Sequence, residues 1–91
     1  ALSANEQAVE IFRRLVTENP DVHEPDLAHS LWNLSNRLGE EGRRGEALSA
    51  NEQAVEIYRR LVTENPAFYE PVLAASLSNL GGRLAGTNRH G

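Results

Sequence analysis

Sliding the chain against itself by 46 positions brings nearly the same sequence back. The stretch ALSANEQAVEI begins at Ala1 and again at Ala47. Among the first 20 aligned pairs only Phe12/Tyr58 differs, and 31 of all 45 pairs are identical. A fixed period of 20–50 residues is the mark of stacked repeats. Each unit of such a stack fails to bury its apolar face alone and needs neighbours to do so. With 91 residues the chain is one small domain, of a size that buries only about 60–65% of its unfolded surface.

Both segment types within the period are helical. From Ala47 to Asn65 one apolar stripe runs Ala47, Ala50, Ala54, Ile57, Leu61 and a second runs Leu48, Val55, Tyr58, Val62. These follow the i, i+3, i+4, i+7 spacing of an amphipathic helix, broad enough here to touch two partners. Pro66 ends this helix, since it disfavours helical geometry at Asn65 and has no backbone N–H. The other segment is expected to start near Pro25, a residue suited to a first turn, with Asp26 near the positive end of the dipole. Its core stripe is Leu27, Leu31, Leu34 and Leu38, flanked by Ala28 and Ser35, and it runs to about Glu41. Gly42 supplies the left-handed residue that closes it, and Asn88 holds that place in the later copy. The link GRRGE, residues 42–46, has the length expected between antiparallel neighbours.

Composition removes several function classes. Hydrophobic content of 40% with 24% charged residues is that of a globular chain. There is no cysteine, hence no disulfide, thiolate metal site or cysteine nucleophile, which suits the cytoplasm. A net charge of −4, with each Arg pair diluted by nearby Glu, argues against nucleic acid. No apolar run approaches the roughly 18–20 residues that cross a bilayer, so no membrane association is expected. His23 and His29 stand six residues apart across a proline, and His90 is remote, so no metal site is expected. Glu6/Glu10 and Glu52/Glu56 lie on the polar face, where Glu10–Arg14 and Glu56–Arg60 have favourable i, i+4 orientation. They read as a solvated surface rather than an acid–base pair, which needs a cleft. NLGGRLAG lies inside a helix pattern with no preceding strand, so it is not a phosphate loop. The sequon Asn33–Ser35 falls within a helix. Neither enzymatic activity nor a cofactor is expected.

The spacing of Leu31, Leu34, Ser35, Leu38 and Gly42, followed by Ala47 and Ala54, resembles a tetratricopeptide repeat. Leu77, Leu80, Gly81 and Leu84 repeat the pattern. Two departures are visible. Asn51 stands where the family usually has an aromatic, and the period is 46 rather than about 34. The extra length resembles the long-period relatives in kinesin light chains and large bacterial regulators. The resemblance implies an all-α solenoid of antiparallel helix-turn-helix units. With first helices called A and second helices B, its order is B-A-B-A. Residues 28–73 make one complete unit, with partial repeats at 1–27 and 74–91.

That resemblance also implies a protein-interaction scaffold binding a peptide or protein segment on a concave A-helix face. The copies differ in their A helices at His29/Ala75, Trp32/Ser78, Ser35/Gly81 and Asn36/Gly82. His29, Trp32 and Asn36 share one face, with Asn33 and Ser78 beside them as further groove candidates. In the family an asparagine at the place of Asn36 can grip the ligand backbone. Trp32 and Ser78 take a clamp-lysine position, so acidic tails are not the expected ligand. Trp32 admits two readings, a partner anchor or packing against its own repeat or a neighbouring chain. Because the chain opens on a B helix and closes on an A helix, both ends of the stack lack a covering neighbour. Leu2, Val9, Phe12 and Val16 on the first helix, and Leu73, Leu77, Leu80 and Leu84 on the last, are then expected to mediate self-association. Such contacts would be head-to-tail or made as a swapped dimer.

Overall fold

The computed structural model describes residues 2–88, with side chains from Ala4 to Ala85. Four helices follow one another: α1 (Leu2–Glu18), α2 (Pro20–Glu40), α3 (Arg44–Glu64) and α4 (Pro66–Asn88). This is the B-A-B-A order of an all-α helical repeat. Substantial packing joins sequence neighbours only, α1 on α2, α2 on α3 and α3 on α4. The result measures 42 × 29 × 16 Å.

The A helices begin five residues earlier than the sequence reading placed them. Asn19 and Asn65 each leave helical geometry for a single residue, at φ −148° and −146°. Each closes one helix through its N–H, to Leu15 C=O and Leu61 C=O, and opens the next through its own C=O, which accepts from His23 and Tyr69. Pro20 and Pro66 then take the first helical position, where a missing N–H costs nothing and φ is already set. Pro25 and Pro71 consequently lie inside α2 and α4. There each forfeits one backbone bond. Two prolines competed for the role of helix starter, and the one preceded by asparagine took it.

The α2–α3 link behaves as its glycine implies. Gly42 has φ +79°. Its N–H donates to Gly39 C=O, and Arg43 N–H donates to Leu38 C=O, the two bonds of a Schellman cap. Gly42→Ala should cost about 1–2 kcal/mol, the strain of a Cβ in the left-handed region. Gly45→Ala, at a helical glycine with open space around it, should stabilise by up to about 1 kcal/mol. Urea denaturation of the two variants checks both signs.

The core centres on α2 and α3. Leu27, Ala28, Leu31 and Leu38 meet Ala47, Ala50, Ala54, Ile57, Tyr58 and Leu61. Alanines at three of those α3 positions let the helices approach closely. The buried Ser35 and Ser76 hydroxyls donate to carbonyls one turn back, Trp32 C=O at 2.7 Å and Leu73 C=O at 2.9 Å, so neither is left unsatisfied. Arg60 crosses to Glu24 of α2 at 2.7 Å rather than pairing with Glu56 on its own helix. Glu6, Glu10, Glu52 and Glu56 are all exposed.

Candidate functional site

The polar centre of the molecule is an arginine held between repeats. Asn51 on α3 is fully buried. Its Nδ2 donates to Ser76 C=O on α4 at 3.2 Å, and its Oδ1 accepts from Arg83 Nε at 3.1 Å. The same guanidinium donates through Nη2 to Asn36 Oδ1 on α2 at 2.9 Å. Arg83 also lies over the backbone of Gly39, where a Cβ would stand 2.5 Å from Nη1. One side chain of α4 thus clasps α2 and α3 together, and charge-assisted bonds of this kind are the stronger ones. Asn51 is the buried partner of that clasp.

One period earlier the corresponding residues are Asn5 and Arg37, over which no further A helix lies among the described residues. They open, with Asn33, Asn36 and Glu40, onto a hollow of about 370 Å³. Arg37 turns to Glu40 on its own helix at 3.3 Å, both side chains more than half exposed. Such a pair contributes little. Among the described residues the Asn5 and Asn33 side chains have no hydrogen-bond partner.

Of the expected groove residues, His29, Asn33, Asn36 and Ser78 are exposed. Only Asn33 and Asn36 line the hollow. Trp32 is half-buried and turned towards α3, edge-on to Tyr58 with ring centroids 6.4 Å apart. Its Nε1 is buried without an acceptor among the described residues. Burial pushes the Tyr58 phenol up to about 12, with the Tyr69 phenol adding to the effect. Asn5, Arg37, Glu40 and Arg83 were not singled out from sequence. The available signal was Asn51 in an aromatic position together with an arginine kept in both copies.

Identical residues in the two copies show which surfaces lack a neighbour. Ile57 is 7% exposed and its copy Ile11 is 45% exposed. Ala50 and Ala54 are buried, whereas Ala4 is exposed and Ala8 half-buried. Val55 and its copy Val9 are both buried. The α1 residues facing α2 are therefore filled, while Ala4, Ala8, Ile11 and Leu15 are more exposed than their copies on α3. For self-association this removes Val9 from the available surface. Phe12 and Val16 are half-buried against the core, and the Leu2 side chain lies outside the described residues, as does His90. On α4, Leu73, Leu77 and Leu80 are half-buried, and Leu84 is 40% exposed against 3% for its copy Leu38.

Among the described residues no helix is long and apolar enough to cross a membrane. Residues 27–66, spanning α2 and α3, match the family model described as Tetratricopeptide repeat. No curated protein and no solved structure matches the chain.

Proposed function

Residues 27–66 are a tetratricopeptide repeat, a family whose units are generally non-catalytic and mediate protein–protein contact, and on that premise we propose that this chain is an interaction scaffold taking a partner segment across its A-helix face. The hollow in which Asn5, Asn33 and Asn36 meet Arg37 and Glu40 carries the reading. Each asparagine amide offers two donors and an acceptor. The Asn5 and Asn33 amides, with the Asn36 Nδ2 left over from the bond its Oδ1 accepts from Arg83, suit the alternating C=O and N–H groups of a peptide backbone. Arg37 and Glu40 offset one another, so the hollow favours no strongly charged ligand. His29 and Ser78 extend the exposed face, and Trp32 contributes the free part of its ring. The single complete unit at 28–73, flanked by partial repeats, is the organisation we assign. The cytoplasm is the proposed compartment, which suits a cysteine-free chain.

Asn33→Ala is the clean test, because that amide has no hydrogen-bond partner among the described residues. In NMR titrations with a set of extended peptides of mixed sequence, wild-type shifts should cluster at Asn33 and Asn36. Asn33→Ala should weaken binding about tenfold, roughly 1.4 kcal/mol. Shifts confined to other surfaces would remove the A-helix face from consideration.

A second reading, self-association through the outer faces of α1 and α4, is favoured by the unequal burial of Ile11 and Ile57. A sedimentation profile that stays monomeric at high micromolar concentration would exclude it.

A further inference from the structure

We infer that the outer face of α1, together with Arg37, is a seat for an A-type helix carrying asparagine and glycine in the register of Asn36 and Gly39, and that this chain's own last helix has Gly82 and Ala85 at those two positions. The inference rests on the second reading above, that the outer face of α1 takes part in helix–helix contact. What fills such a face is visible one period later. There α2 covers the inner face of α3, and Arg83 of the following helix closes over it onto Asn36 at 2.9 Å. Gly39 leaves room for the guanidinium, which a Cβ would meet at 2.5 Å. The stretch Asn36–Gly39 therefore performs two tasks on one turn: an acceptor for the arginine, and a gap for it to lie across.

The receiving side is present at the first copy. Asn5 and Arg37 repeat Asn51 and Arg83, and Ala4, Ala8, Ile11 and Leu15 repeat the apolar surface that α2 covers on α3. Among the described residues Arg37 meanwhile pairs with solvent-exposed Glu40. The donating side is absent from α4, where Gly82 replaces the acceptor and Ala85 fills the gap. The apolar residues Leu73, Ala74 and Leu77 match Leu27, Ala28 and Leu31. A second copy could thus bring the hydrophobic part of the contact through α4 but not the clasp. The fitting occupant is a helix with α2's pattern, Ala and Leu three apart, followed by Asn-x-Leu-Gly.

Gly82→Asn with Ala85→Gly rebuilds that pattern on α4 of the full chain. Measured by sedimentation against concentration, the double variant should self-associate at least about tenfold more tightly than wild type. Adding Arg37→Ala should return association to the wild-type level, and Asn5→Ala should remove part of the gain. Gly82→Asn alone, with Ala85 still in the gap, should give a smaller gain, and it carries the test if the pair does not fold. No gain in either variant, or a gain that Arg37→Ala leaves intact, overturns the seat. Wild-type association tests the half-interface itself, so the two failures are separable.

Discussion

Leu31→Ala should cost about 2–5 kcal/mol, the range for emptying a fully buried leucine site. Leu31 is 1% exposed, at the centre of the α2–α3 contact. A chain of this length has a net stability of about 0.05–0.15 kcal/mol per residue, roughly 5–14 kcal/mol in all. The variant therefore loses a large share of its stability, and at the bottom of that range a substantial fraction of it unfolds near room temperature. Its copy Leu77 occupies the same place on α4 but is only half-buried. Leu77→Ala should cost less than half as much, since fewer contacts are lost and solvent already reaches the site. Urea titrations followed by circular dichroism give both numbers. Equal costs would mean that α4 is covered in solution, by another copy of the chain.

Asn51→Ala should cost about 2–3 kcal/mol, and Asn5→Ala no more than about 0.5 kcal/mol. The two residues are the same letter at the same point of the repeat. Asn51 is buried and bonded to both Ser76 C=O and Arg83 Nε, whereas Asn5 lines the open hollow. Removing Asn51 takes away the buried acceptor of a guanidinium and leaves a void in its place. Arg83→Ala and Asn51→Ala should be clearly non-additive when combined, because each already breaks the bond they share. Arg83→Lys should not rescue, since an ammonium lacks the fork that reaches Asn51 and Asn36 together. Additive single and double variants would show that the clasp does not link the repeats.

The helical stack was legible from the start because periodicity is local. Leu31, Leu38, Ala47 and Ala54 reveal their helices by spacing alone, and the 46-residue repeat requires that those helices stack. Gly42 was readable for the same reason, since its conformation depends on its own missing side chain. The A-helix starts were misplaced because Asn19–Pro20 and Pro25 are both acceptable openings in sequence, and only the continuous backbone selects between them. The clasp was not legible. Arg83 lies 47 residues from Asn36 and 32 from Asn51, and no local rule joins them until α4 packs beside α2 and α3.

Sequence by itself determined that this chain is a row of helices, with which residues facing inward along each one. Tertiary structure decided what those faces meet. Ile11 and Ile57 sit in the same eleven-residue stretch, on the same side of the same kind of helix, yet one is 45% exposed and the other 7%. Helix formation depends on neighbours a few residues away, which the copies share. Burial depends on neighbours in space, which they do not. The same difference separates Asn5 from Asn51 and Arg37 from Arg83. It turns one repeat into a core and leaves the other as a surface.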